Sequence, residues 1–358
     1  MITVTKTFLP PLIEYQKHLS KIWDKQWLTN RGPLLQELEE KLKNYLGINH
    51  ILITNNGTIP LQIALKLLGK NGEIITTPFS YVATTSAIFW ENCTPVFVDI
   101  HKDYLCIDEN KIEQAITTKT TAILATHVFG NPCNVEIIEK IAKKYKLKVI
   151  YDAAHCFGVK YKNKSIFEYG DISTCSFHAT KVFHTAEGGA IFTKSKKLQH
   201  KVFYSHNFGH DGPSAFHGMG INAKTSELSG AMGLAVLDHI DYIFENRKRV
   251  CNYYDVNLNF DFLKTIKLRH KTNWNYCYYP IIFENEKKLL EILNKLNVSN
   301  IFPRRYFYPS LNTINYVKGS KMPISENIAS RILCLPLYAE LSEKEQELIV
   351  SIINSSLK

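Results

Sequence analysis

Lys181 stands in the segment Ser176-Phe-His-Ala-Thr-Lys-Val-Phe-His-Thr-Ala-Glu-Gly-Gly-Ala190, between an apolar stretch and a glycine pair. A lysine held in such a loop can form a Schiff base with a carbonyl compound; an exposed one is an ordinary solvated charge. Taken singly, the residue allows both readings. Thr54-Asn-Asn-Gly-Thr-Ile-Pro60 follows an apolar run and precedes a helix-like pattern, so backbone N–H groups near Gly57 and Thr58 can converge on an anion. Glycine permits close approach, Pro60 suits a first helical turn, and the helix dipole favours negative charge there. An ordinary capped turn has the same composition. Asp152, in Val149-Ile-Tyr-Asp-Ala-Ala-His155, ends another apolar run. That is the edge at which open α/β sheets build their sites, although an acid there also caps helices. Tyr81, in Thr77-Pro-Phe-Ser-Tyr-Val-Ala83, is either a flat plate for a ring or a core aromatic, and Ser176 can add a hydroxyl for a phosphate.

An anion cup, a carboxylate able to keep a ring nitrogen protonated, an aromatic plate and a loop lysine are together what pyridoxal 5'-phosphate (PLP) requires. The set is far more specific than any of its parts. No metal is called for: the cysteines at 93, 106, 133, 156, 175, 251, 277 and 334 form no Cys-x-x-Cys pair and have no companion histidine at ligand spacing. They read as buried thiols.

The elements that must position these residues follow from the apolar pattern. Candidate strands at 50–54, 73–77, 95–98, 122–125, 148–151, 172–177 and 190–193 alternate with helix-like segments, one of them carrying Leu35, Leu38, Leu42 and Leu46. This order predicts an α/β domain with a mixed, mostly parallel sheet between helices. From about 236 the texture changes to charged helices, such as 286–296, and short aromatic strands, such as 274–282. The expected division is a large domain over 1–235, with an N-terminal segment free to pack on the small domain, and a small α/β domain over 236–358. Ser342 and Glu345 have the spacing of a capping box before the last helix.

With 358 residues and 45% apolar content the chain can bury a large core. It has no apolar run long enough to cross a bilayer and no signal-peptide layout at its start, so the cytoplasm is the expected compartment. The formal charge of +10 is spread over short clusters. It favours an anionic ligand such as a nucleotide diphosphate, and without interleaved aromatics and arginines it argues against a nucleic-acid groove. Gly218-Met-Gly-Ile-Asn-Ala223 matches a loosened dinucleotide fingerprint but lacks a preceding strand.

Over nearly its whole length the sequence resembles the DegT/DnrJ/EryC1/StrS sugar aminotransferases, of the aspartate aminotransferase-like fold (PLP fold type I). The segments that carry the resemblance are 30–33, 56–58, 77–83, 152–155, 176–189, 220–227 and 335–338. It implies a seven-stranded large-domain sheet and a Schiff base between PLP and Lys181. Asp152 would pair with the pyridine nitrogen, Tyr81 would stack on the ring, and His155 would sit beside it. Gly57, Thr58 and Ser176 would hold the phosphate. It also implies a homodimer with shared active sites, in which Asn222 reaches the phosphate of the neighbouring chain. Many members have Asn-Tyr-Arg where this chain has Asn222-Ala-Lys224, so any role of that arginine is in doubt.

By the same resemblance L-glutamate would donate the amino group, with pyridoxamine 5'-phosphate as the carrier between the two halves of the reaction. The segments 176–189, 303–309 and 30–33 resemble the branch that aminates C4 of dTDP-4-dehydro-6-deoxy-D-glucose, for surface polysaccharides or antibiotics. Asn30 belongs to that signature. Arg304, Arg305 and Lys224 are candidates for the diphosphate, and Tyr306, Tyr308 and His184 for the sugar; each is equally readable as a surface charge or as packing. A C3-aminating relative would share every cofactor residue. A PLP-dependent dehydratase is expected to carry histidine in place of Lys181, and a non-catalytic binder would not keep the cofactor set.

Overall fold

In the computed structural model, which describes residues 1–317 and 319–357, the chain opens with β1 (Ile2–Thr3), α1 (Leu12–Lys25) and α2 (Pro33–Leu46). Strands and helices then alternate: β2 (Ile51–Thr54), α3 (Ile59–Leu68), β3 (Glu73–Thr76), α4 (Val82–Trp90), β4 (Thr94–Phe97), β5 (Thr120–Thr126), α5 (Val135–Tyr145) and β6 (Lys148–Asp152). The short strands β7 (Lys160–Tyr161) and β8 (Lys164–Ser165) lead to β9 (Ile172–Ser176), β10 (Gly189–Thr193), α6 (Lys196–Ser205), α7 (Glu227–Leu237) and α8 (Ile240–Asn257). The remainder comprises β11 (Lys264–Thr265), β12 (Thr272–Asn273), β13 (Tyr279–Ile282), α9 (Glu286–Val298), β14 (Ile301–Phe302), α10 (Pro323–Arg331), β15 (Ile332–Leu335) and α11 (Glu343–Leu357).

The main sheet has seven strands in the order β2-β10-β9-β6-β5-β3-β4, all parallel in sense except β10. Its strands read as unbroken apolar runs because both faces are covered. Ile51, Ile53, Ile123, Ala125, Val149 and Tyr151 face one core with α2, α5 and α7, while Leu52, Ala122, Leu124 and Ile150 face the other with α3 and α4. The register sets the site. Thr54, Gly189 and Ser176 lie abreast on β2, β10 and β9, and Asp152 of β6 pairs with Thr126 on one side and Thr174 on the other. The predicted chemical residues therefore cluster at one edge of the sheet.

A further core joins α8, α9 and α11 to β13 and β15, and Ile2 belongs to it because β1 pairs with β14. The expected division at 235/236 falls in the last turn of α7. The aromatic strand expected over 274–282 is shorter than predicted, being β13 alone. Tyr276 takes a left-handed φ of 52°, and the buried Arg247 guanidinium binds the carbonyls of Tyr276 and Cys277, which removes those acceptors from any ladder.

Two helix starts are held by distant carboxylates. Glu227 accepts from the amides of Leu34 (2.7 Å) and Leu35 (3.1 Å) at the start of α2. A Cβ on Gly32 would lie 2.6 Å from the Glu227 carboxyl carbon, so Asn30-Arg-Gly-Pro33 fits α2 onto α7. Asp99 likewise accepts from the amides of Ile324 and Ser325 at the start of α10. The last helix has the expected capping box, with Ser342 Oγ accepting from the Glu345 amide and the Glu345 carboxylate accepting from the Ser342 amide.

Glu227→Ala leaves two inward-facing amides without an acceptor and is expected to lower unfolding free energy by about 2–4 kcal/mol. Ser342→Ala, which removes an exposed cap, is expected to cost about 1 kcal/mol. Urea unfolding followed by circular dichroism measures both.

Candidate active site

Gly57, between β2 and α3, passes so close to the end of β9 that a Cβ there would lie 2.7 Å from Ser176 Cβ and 3.1 Å from its Cα. Only glycine lets the two loops meet. The turn is shaped by Asn56, whose Oδ1 accepts from the amides of Thr58 (2.8 Å) and Ile59 (2.9 Å). One of the amides expected to face an anion, that of Thr58, is thus already engaged. The Thr58 and Ser176 side chains remain on the wall of a cavity of about 320 Å³.

Asp152 enters this cavity from the end of β6 and is 6% exposed. Thr84 donates its hydroxyl to Oδ2 at 2.6 Å and Ala154 its amide to Oδ1 at 3.1 Å. Burial raises the carboxyl pKa, and these two bonds with the charge of Lys181 act against the rise. His155 accepts the Phe129 amide on Nδ1 at 3.3 Å, which assigns its proton to Nε2. Its ring lies parallel to those of Phe129 and Phe307, and burial with the nearby Lys181 charge holds its pKa well below the usual value.

Lys181 lies on the loop from β9 to β10, fixed by its own amide to the His178 carbonyl and by the Thr185 amide to the Phe177 carbonyl. Its Nζ is 5.8 Å from the Tyr278 ring centroid. Tyr81 is the N-cap residue of α4, 59% exposed, and lines the cavity together with Tyr278, Tyr306 and Phe307.

The structure thus brings Gly57, Thr58, Tyr81, Asp152, His155, Ser176, Lys181 and Tyr306 around one space. Other expected substrate residues stand elsewhere in this chain. His184 is 1% exposed, with Nε2 against the Phe8 carbonyl (2.7 Å) and Nδ1 accepting the Ala186 amide, so it ties the N-terminal segment to the lysine loop. Arg305 binds Glu286 (2.5 Å) and the Ser330 carbonyl (2.8 Å), with the Tyr308 ring centroid 3.5 Å from its guanidinium carbon. Arg304 is exposed, and its backbone bridges Cys334. Lys224 bonds to Asn207 and Asn222 outside the cavity wall, although the Ala223 carbonyl accepts the Asn55 amide behind the anion loop. Asn30 sits in an exposed loop with a φ of 59°.

Sequence reasoning did not single out Thr84, His178, Thr180, Glu187, Tyr278 or Phe307. His178, Thr180 and Glu187 lie inside the lysine segment itself, and Thr84 follows Tyr81 by three residues, one turn of helix along. A cavity of about 310 Å³ bordered by Tyr45, Phe244 and Trp274 holds none of the predicted groups.

The residues present fit PLP. The space admits a pyridine ring, the Gly57 approach leaves room where a Cβ would intrude, and the Asp152 carboxylate, costly to ionise in this burial, is a receptor for a cationic ring nitrogen. A profile of the DegT/DnrJ/EryC1/StrS aminotransferase family matches residues 13–354. The dTDP-4-amino-4,6-dideoxy-D-glucose transaminase of Shigella dysenteriae is 43% identical over 98% of each chain. The Escherichia coli transaminase of that name is 42% identical over 98% of this chain and 96% of its own. DesI, solved with its TDP-sugar product, superposes with a TM-score of 0.94 at 28% identity, covering 99% of this chain and 93% of its own.

Gly57→Ala is expected to weaken PLP binding by about tenfold or more, because the added methyl meets Ser176 backbone as well as side chain; titration of the apo-protein with PLP reads this. His184→Leu is expected to lower stability by about 1–3 kcal/mol through its lost bonds to backbone, with the KM for nucleotide sugar unchanged.

Proposed function

We propose, since the chain belongs to the DegT/DnrJ/EryC1/StrS aminotransferase family, that it moves an amino group from L-glutamate to C4 of dTDP-4-dehydro-6-deoxy-D-glucose, giving dTDP-4-amino-4,6-dideoxy-D-glucose. The observation that carries the aminotransferase chemistry is Lys181 and Asp152 on one cavity wall. What supports the substrate is the near-full-length likeness to two transaminases named for this product. The C3-aminating alternative has no such support.

Bound in the cavity, PLP supplies an electron sink that lets an amine leave one carbon and join another through a proton shift. Gly57, Thr58 and Ser176 would hold its phosphate, Asp152 would keep its ring nitrogen protonated, and Tyr81 would cover one face. His155, neutral at physiological pH, offers Nε2–H as a donor beside the ring. The Lys181 amine, on a loop tied at both ends, takes a proton from the donor carbon and later delivers one to C4 of the sugar. Phe307 and Tyr278 exclude water from that transfer.

The working unit in this proposal is a homodimer, with Asn222 turned toward the phosphate in the neighbouring subunit. Residues 1–235 carry the cofactor and 236–358 form the smaller domain. The product serves surface polysaccharide (O-antigen) or antibiotic assembly. No helix among the described residues is long and apolar enough to cross a membrane. The eight cysteines are all buried and unpaired, which suits the reducing cytoplasm in which we place the enzyme.

The test incubates the purified protein with PLP, L-glutamate and dTDP-4-dehydro-6-deoxy-D-glucose and locates the new amine by NMR. An amine at C4 is expected; an amine at C3 selects the alternative, and no amine rejects the reading. Lys181→Ala is expected to reduce turnover by at least about 10²–10⁴-fold, as loss of a proton-transfer group does.

A further inference from the structure

The first turn of α4 carries two residues toward the cofactor space. Tyr81 at its N-cap offers a ring plate, and Thr84, one turn on, points its hydroxyl at the carboxylate that receives the ring nitrogen. Thr84 is fully buried, and its 2.6 Å bond runs to Asp152 Oδ2. The other oxygen takes the Ala154 amide. Each carboxylate oxygen therefore has one donor from the protein, which fixes the rotation of the group and leaves a lone pair on each for a ligand. The neighbouring Thr85 is equally buried on the same helix, but its hydroxyl has no hydrogen-bond partner. What distinguishes the two threonines is their relation to Asp152.

We infer that Thr84 is a positioning residue for the cofactor: by donating to Asp152 Oδ2 it keeps that carboxylate ionised and turned to receive a protonated pyridine nitrogen. The inference rests on the PLP chemistry proposed above. Burial pushes the Asp152 carboxyl up, toward the neutral form that cannot pair with a pyridinium. A short hydroxyl donor acts against that and binds the ionised form more strongly than the neutral one. The position at the start of a helix adds a field of the same sign.

A packing role makes the opposite prediction. Thr84→Val keeps the volume and removes the hydroxyl, whereas Thr84→Ser keeps the hydroxyl and leaves a methyl-sized void. If the methyl matters, serine is the damaging change; if the donor matters, valine is. The pH dependence separates them again. Lys181, Cys156 and Cys175 act on Asp152 electrostatically and His155, His178, Glu187, Tyr81, Tyr278 and Tyr306 line the same cavity; burial holds His155 well below neutrality and both thiols high. The lysine's own share is common to all variants and cancels in a ratio to wild type.

The experiment titrates apo-protein with PLP by absorbance at about pH 6 and about pH 8.5, for wild type, Thr84→Val, Thr84→Ser and Thr85→Val. Thr84→Val is expected to weaken PLP binding about 10- to 100-fold, as loss of a hydrogen bond to a charged group does, with the larger deficit at the lower pH. Thr84→Ser and Thr85→Val are expected to stay within about twofold of wild type, since neither removes a donor from the carboxylate. Equal affinity for Thr84→Val and wild type at both pH values overturns the inference, as does a serine variant as weak as the valine one. Should Thr84→Val fail to fold by circular dichroism, Thr84→Ala against Thr84→Ser makes the same comparison. Wild type that binds no PLP sinks the cofactor reading instead.

Discussion

The site depends on a negative charge kept inside the protein. Asp152 lies at the end of a central strand with almost no contact with water, where an ionised carboxylate loses most of its hydration. Two donors and the charge of Lys181 recover part of that loss, yet the carboxyl pKa remains raised. The sign of the consequence is fixed. Between the ordinary carboxyl pKa and the raised one, the folded apo-protein holds a proton that the unfolded chain has released, so its stability falls as pH climbs through that window. A cationic ring nitrogen against the same oxygens reverses the imbalance. Folding leaves the carboxylate under-compensated until a cation pairs with it.

The fold places this charge beside the lysine through one antiparallel strand. Because β10 runs against its neighbours, the loop from β9 must turn back at the same sheet edge where β2, β6 and β9 end. Lys181 sits on that returning loop. Gly189 starts β10 beside the anion loop, where a Cβ would lie 2.2 Å from the Asn56 carbonyl oxygen, and Gly57 makes the matching approach to Ser176. A glycine on each side of one narrow gap thus allows the loop after β2, the lysine loop and the β9 end to converge.

Much of this was legible in the sequence, and the reason is locality. A strand covered on both faces is a continuous apolar run, and a chemical residue at its end is visible within a few positions of it, as with Asp152 after Val149-Ile-Tyr151 and Lys181 after Ser176. What stayed hidden depends on partners distant along the chain. Arg305 reads as a free cation until Glu286 and Ser330 fold against it, and His184 reads as a site residue until the Phe8 carbonyl, 176 positions away, takes its Nε2. Thr84 shows the converse: an unremarkable helix threonine whose importance comes from an acid 68 positions on. The shortened aromatic strand has the same origin, because Arg247 withdraws the carbonyls of Tyr276 and Cys277 from pairing.

The placement of cations also bears on how an anionic sugar nucleotide is held. Among the described residues, Lys181 is the one lysine or arginine on the cavity wall. The other lysines and arginines lie elsewhere, some of them in exposed pairs such as Lys143 with Glu139 and Lys295 with Glu291, which are screened and individually weak. A diphosphate entering this cavity in a single chain would meet Glu187 at the rim without a matching arginine. Lys224, half-buried, donates to Asn222 and Asn207 beside the turn at Asn55, off the wall of its own chain's cavity. In the dimer proposed above, a cation from the neighbouring subunit would supply what this wall lacks.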